Sequence, residues 1–397
     1  MQGDDRRFVY NWNYPTRVWF GPGRISEIAK ACSVAHIKRP LVVTDPGLAG
    51  LPQLEEMMGY LRSAGLEASL FSGVRPNPTS ANVENGVAAL KAGRHDGVIA
   101  FGGGSALDAG KTIAFMVAQK RPVWDFEDIG DYWTRASEDG ILPIIAIPTT
   151  AGTGSEVGRA TVITDEVSHA KKIIFHPRMM PQVALCDPLL TVSLPPHLTA
   201  ATGMDALSHC IEAYCAPGYH PMADAIALEG ARLVKLSLEE ATHSGANVEA
   251  RANMMAAAAM GATAFQKGLG AIHSLSHPIG SLFGVHHGLI NGVLMPYVLA
   301  SNAPAIGEKM QRLATHLNLA NGDAEDGTRS VIAWVVELRR KLQIPHTTRD
   351  LDIPVDRFSI IAALAIKDPT APTNPRTLTA ELAMSMLERS STGDHAP

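Results

Sequence analysis

The chain has 397 residues, 46% of them apolar and 18% charged, and a formal net charge of −5. That length is more than one hydrophobic core usually organises, so two domains are expected. An acidic balance without a basic run argues against nucleic acid or an anionic membrane as the main partner. Cys32, Cys186, Cys210 and Cys215 form no CxxC pair in a chain this long, which excludes a disulfide scaffold.

The opening MQGDDRRFVYNW lacks the apolar core of a signal peptide, and no run of about twenty uninterrupted apolar residues follows, so a soluble cytoplasmic protein is expected. FVYNWNYPTRVWFG sets Phe8, Tyr10, Trp12 and Tyr14 at period two, one aromatic face of a strand. Left exposed, such a face is an aggregation hazard, which points to a homodimer or larger homo-oligomer. RISEIAKAC then reads as a helix, RPLVVTD as a buried strand, LPQLEEMMGYLRSAG as a helix and EASLFSG as a strand. ANVENGVAALKAGRHD reads as a helix, GVIAFGGGS as a strand into a turn, ALDAGKTIAFMVAQ as a helix and ILPIIAIPTT as a strand. This alternation predicts a mostly parallel sheet with crossover helices, whose ligands bind beyond the carboxyl ends of the strands. From about Leu190 the strand signals vanish and Ala- and Leu-rich helical segments take over. The prolines of CDPLLTVSLPP mark the change, giving an α/β domain over 1–190 and an all-helical domain over 191–397.

Two polar turns at strand ends suit a nucleotide. In FGGGSALDAGK, Gly102, Gly103 and Gly104 let the backbone approach a ligand, and the helix behind them offers unpaired N–H groups to a pyrophosphate. PTTAGTGSE adds the hydroxyls of Thr149, Thr150, Thr153 and Ser155. Asp45 ends RPLVVTD, where a carboxylate can accept from adenosine ribose hydroxyls or simply serve an Asp-Pro-Gly turn.

The helical half carries the parts of a divalent-metal site. Asp205 and His209 stand four apart in TGMDALSHCIEAY, so they project from one helix face; His273 and His277 repeat that spacing in HSLSHPIG. His286 and His287 follow. Imidazoles with a carboxylate suit Fe²⁺ or Zn²⁺ better than Mg²⁺ or Ca²⁺. Spacing alone does not separate His273 from His277, or His286 from His287.

FGGGSALDAGK, PTTAGTGSEV, TGMDALSHCIEAY, GAIHSLSHPIG and HHGLINGVLMPYV, in this order, resemble the iron-containing, or group III, alcohol dehydrogenases. The resemblance runs from NYPTRVWFGPG to DPTAPTNPR. It implies a dinucleotide-binding α/β domain followed by a helical metal-binding domain, and reversible hydride transfer between NAD(H) and a primary alcohol or its aldehyde. It implies Asp205, His209, His273 and His287 as metal ligands, with Fe²⁺ first and Zn²⁺ as the alternative, and His277 as the proton carrier. It implies cofactor contacts at Asp45, Gly102, Gly103, Gly104, Ser105, Asp108, Thr149, Thr150 and Lys171, with Lys172 competing for the last. Gly158 departs from the Ser or Thr that many relatives carry after SEV. Ala160, Val162 and Ala264 are the pocket-wall candidates, and their small size predicts primary alcohols longer than ethanol over short polar diols. Asp45, with no Arg or Lys in PGLAGL behind it, predicts NAD(H) over NADP(H).

Overall fold

The computed structural model describes residues 10–12, 16–168, 170–319 and 327–396, and residues 10–12 by their backbone alone. The chain forms two compact units, Met1–Thr150 with Gly154–Ser193, and Ala151–Thr153 with Leu194–Pro397.

The first unit is built on a seven-stranded sheet. Its strands are β1 (Tyr10–Trp12), β2 (Arg17–Phe20), β3 (Pro40–Val43), β4 (Ser69–Phe71), β5 (Gly97–Gly102), β6 (Ile144–Pro148) and, two hairpin strands later, β9 (Val183–Cys186). They lie in the order β1-β2-β9-β6-β5-β3-β4. All neighbours run parallel except β1 against β2. Helices α1 (Ile28–Val34), α2 (Pro52–Ser63), α3 (Ser80–Ala92) and α4 (Gly104–Met116) connect the strands. The central strands are continuous apolar runs because both faces are covered. Val42, Ile99, Phe101, Ile145 and Ile147 pack on one side with α1 and α2; Leu41, Val43, Val98 and Ile144 pack on the other with α3 and α4.

The remaining strands, β7 (Ala160–Asp165) and β8 (Ala170–Phe175), form a separate antiparallel hairpin. Neither they nor β9 is foreseen in the sequence pattern. The aromatic stretch read as one strand is two antiparallel strands, with Tyr10 opposite Phe20 and Trp12 opposite Val18. The side chains of Phe8, Tyr10, Trp12 and Tyr14 lie outside the described residues.

The second unit is helical: α5 (Pro196–Cys215), α6 (Pro221–His243), α7 (Val248–Ala264), α8 (Ala271–Phe283), α9 (His287–His316), α10 (Gly327–Lys341), α11 (Phe358–Ala365) and α12 (Ala380–Thr392). Buried almost throughout, α5 packs against α6, α7 and α9. By length and composition α9 could cross a bilayer, but 78% of its most apolar window is buried within the fold, which makes it a core helix.

Candidate metal centre and nucleotide turns

Helix α5 aims Asp205, His209 and Glu212 along one face, at i, i+4 and i+7. Helix α9 starts against it at Gly288, where a Cβ would lie 2.2 Å from the Ala201 carbonyl oxygen. Only glycine allows that approach, and it seats the preceding residue, His287, with Nε2 3.5 Å from Asp205 Oδ1. Helix α8 brings His273, with Nε2 3.8 Å from the same oxygen; His209 Nε2 stands 3.7 Å from it. Asp205, His273 and His287 each offer a ligand atom, all within 4.8 Å of one another. His209 adjoins them, its ring stacked on that of His273 at 4.8 Å between centroids. His286 is exposed at the N-cap of α9.

The electrostatics suit a cation. Asp205 is 3% exposed, and its ion-pair partners among the described residues are histidines, with no Lys or Arg. A buried carboxylate without a fixed cation is expensive, and this donor set of one carboxylate and converging imidazoles fits a divalent ion of the iron or zinc type. Burial opposes charge on Asp205, yet His209, His287 and His273 hold its carboxyl well below the usual range. Burial lowers His209 to about 4, so its imidazole is neutral near pH 7. Burial works the same way on His273, but Glu212 and Asp205 overcome it and lift that imidazole to about 9. An ion held by His273 would therefore displace a proton.

Glu212 does two things at once. Its Oε2 lies 2.5 Å from His273 Nδ1, and its Oε1 accepts from the Ile272 N–H at 2.7 Å, in the first turn of α8. With Nδ1 held by a carboxylate, Nε2 of His273 is aimed at Asp205; this is the carboxylate–histidine arrangement that orients metal ligands. A second such pair stands beside the first. His277 Nδ1 is 2.8 Å from Asp368 Oδ2, and Asp368 Oδ1 accepts from the Thr370 N–H (2.9 Å) and hydroxyl (2.6 Å). The His277 ring stacks on His287 at 5.3 Å. Two histidines on one helix face thus have different carboxylate partners, which the four-residue spacing could not reveal. Sequence reasoning missed Glu212, although its place three residues after His209 on the same face was a usable signal. Asp368 sits within DPTAPTNPR, 91 residues from His277, and no spacing rule connects the two.

In the first unit β5 ends at Gly102, whose φ of 146° suits glycine alone. A Cβ there would also lie 2.7 Å from Ala106 Cβ. Gly103 caps α4 and Gly104 begins it. Thr149 donates its N–H to the Gly102 carbonyl, which ties the two polar turns together. Ser105 Oγ accepts from the Asn77 N–H. Asp45 Oδ1 accepts from the N–H groups of Gly47 and Leu48, so this oxygen makes the Asp-Pro-Gly turn.

Asp108 spends its carboxylate inside the protein: Oδ1 accepts from Ser155 Oγ at 2.5 Å and Oδ2 from the Val162 N–H at 2.9 Å. Lys111, fully buried one turn later, donates to the carbonyls of Ser155, Gly158 and Ala160. Together they fasten the TGSEVG turn and the hairpin to α4. On the hairpin, Ala160, Val162 and Lys171 stand on the half-exposed face, with Thr164 opposite Lys171. Lys172 points the other way and pairs with Asp165 (3.2 Å) and Glu127 (3.6 Å). Ala264 is completely buried, and its neighbour Phe265 turns its ring to His209 at 5.1 Å.

Residues 15–188 match the iron-containing alcohol dehydrogenases, and residues 199–391 match the C-terminal family of Fe-containing alcohol dehydrogenases. The chain belongs to the iron-containing alcohol dehydrogenase family. Among its relatives is the 4-hydroxybutyrate dehydrogenase of Cupriavidus necator, 37% identical over 96% of this chain and 99% of that one. The NAD-dependent methanol dehydrogenase of Bacillus methanolicus is 33% identical over 94% and 97%. A crystal structure of 1,3-propanediol oxidoreductase superposes with a TM-score of 0.90 at 34% identity, covering 96% and 99% of the two chains. Family membership makes this protein an oxidoreductase acting on the CH–OH group of alcohols, on an α/β unit and a helical unit.

Proposed function

We propose that the protein interconverts primary alcohols and aldehydes with NAD(H), using Fe²⁺ held by Asp205, His209, His273 and His287. The observation that carries this reading is the buried Asp205 carboxylate, ringed by three imidazoles and paired with no Lys or Arg among the described residues. When bound, the ion supplies Lewis acidity, favouring loss of the alcohol proton and polarising a carbonyl. Glu212 keeps the His273 tautomer that directs Nε2 to the ion. Asp368 does the same for His277, whose Nε2 is left to carry the proton exchanged with solvent.

On the nucleotide side, the Gly102–Gly104 turn and the first N–H groups of α4 receive the pyrophosphate. Asp45 Oδ2, which takes no part in the turn, receives an adenosine ribose hydroxyl. Ser105, Thr149, Thr150 and Lys171 supply further polar contacts; Lys172, committed to Asp165 and Glu127, does not. Asp108 acts indirectly, by fixing the hairpin that carries Ala160, Val162 and Lys171. The N-terminal aromatic pattern supports a homodimer or larger assembly. An aldehyde panel with NADH, run anaerobically on protein loaded separately with Fe²⁺ and Zn²⁺, tests the function. Turnover with Fe²⁺ is expected, and a protein that oxidises no NADH with any primary aldehyde under Fe²⁺ would sink the assignment.

A further inference from the structure

One more side chain enters the cluster of imidazoles. Asn291 follows His287 by four residues on α9, so the two share a helix face. It is completely buried. Its Nδ2 lies 2.8 Å from Asp205 Oδ1, 3.2 Å from His287 Nε2 and 3.3 Å from His273 Nε2. Its Oδ1 is buried with no hydrogen-bond partner among the described residues.

An orphaned buried amide oxygen costs about 1–3 kcal/mol, a cost an apolar residue would avoid. Turning the amide over does not relieve it, because Oδ1 would then face the Asp205 carboxylate, oxygen against oxygen. The carboxylate therefore fixes which end of the amide points inward. An amide nitrogen has two hydrogens to donate and no lone pair free for a metal, so Asn291 serves this site as a donor rather than as a ligand. With both imidazoles deprotonated at Nε2, as an ion requires, two hydrogens face three acceptors. The bond to Asp205 is the short one, and the longer approaches to the two imidazole nitrogens leave those lone pairs weakly held and available.

We propose that Asn291 is a positioning residue that keeps the ligand atoms of Asp205, His273 and His287 converged on one point, so that a divalent ion meets an assembled site. The inference rests on reading the cluster as a metal site. The experiment strips the protein with a chelator and titrates it with Zn²⁺ against a competing indicator, following the melting temperature of each metal-free variant. Asn291→Ala should bind Zn²⁺ about 10–100-fold more weakly, the usual loss when a group supporting a ligand is removed. Asn291→Asp keeps the shape and loses the donor, so it should bind more weakly as well; being isosteric, it decides the matter if the alanine variant does not fold. Zn²⁺ affinity within twofold of the unmodified protein in either variant overturns the proposal, and so does tighter binding by Asn291→Asp, which would make the residue an oxygen ligand. His273→Ala is run alongside. If it retains full Zn²⁺ binding, or the unmodified protein binds none, the metal reading itself fails and takes this inference with it.

Discussion

Replacing Asp368 by Asn exchanges one carboxylate oxygen for an NH₂ group and should silence His277. In the native protein Asp368 Oδ1 accepts two hydrogen bonds from Thr370, and Oδ2 accepts from His277 Nδ1. An asparagine must keep its oxygen toward the two Thr370 donors, which places its NH₂ against His277 Nδ1. That nitrogen must then act as acceptor, so the neutral ring carries its proton on Nε2. A base with its lone pair on the wrong nitrogen cannot take the proton released in alcohol oxidation. The expected loss is that of a general base, about 10²–10⁴ in kcat, or about 2.7–5.4 kcal/mol at 1.36 kcal/mol per decade. The assay is initial-rate alcohol oxidation across pH, with metal content by elemental analysis and NADH binding by fluorescence on the same samples. Metal and NADH binding should stay normal while kcat falls and its dependence on pH flattens. A kcat within threefold of the unmodified enzyme, at full metal content, would refute the tautomer argument.

Three further outcomes are expected. The unmodified enzyme should favour NAD over NADP by about 10–100-fold, equivalent to about 1.4–2.7 kcal/mol, and Asp45→Gly should erode that preference mainly by improving NADP use; equal kcat/KM for both cofactors before mutation contradicts the role of Asp45. Burial holds the Glu156 carboxyl up at about 7, against an ordinary value of 4.5. The folded state therefore binds the extra proton, and that contribution is complete below about pH 4.5 and lost as pH rises through 7. Glu156→Gln should accordingly gain stability relative to the native chain between pH 5 and 8, by at most about 3 kcal/mol, and parallel melting-temperature profiles for the two proteins would show that Glu156 does not titrate in this window. In an alcohol panel, primary alcohols longer than ethanol should lead in kcat/KM, and a clear preference for 1,3-propanediol or 4-hydroxybutyrate would show that the small residues Ala160, Val162 and Ala264 do not set the specificity.

Much of the architecture was legible because local pattern and burial agreed. RPLVVTD, GVIAFGGGS and ILPIIAIPTT are short apolar runs, and each is a strand buried on both faces. The hairpin went unread because ATVITD and AKKIIF mix charge with apolar residues; its buried side is settled by Lys111 and Asp108, a contact more than 40 residues away in sequence. Two interior prolines, Pro296 and Pro304, obscured the 30-residue helix α9. In the site, helical spacing could aim Asp205 with His209 and place His273 with His277. It could not show that the two rings of α8 have different carboxylate partners, since Glu212 and Asp368 reach them from other parts of the chain.

The bond from Glu212 to the Ile272 N–H makes the winding of a helix and the choice of the His273 tautomer a single event. If the first turn of α8 frays, Ile272 releases the carboxylate that holds His273, and the two are lost together. The reverse is expected as well: an ion held at Nε2 of His273 would keep the ring against Glu212, and the carboxylate would tighten the helix start. The exchange rate of one backbone hydrogen, that of Ile272, thereby becomes a local gauge of how completely the site is assembled, readable without any substrate.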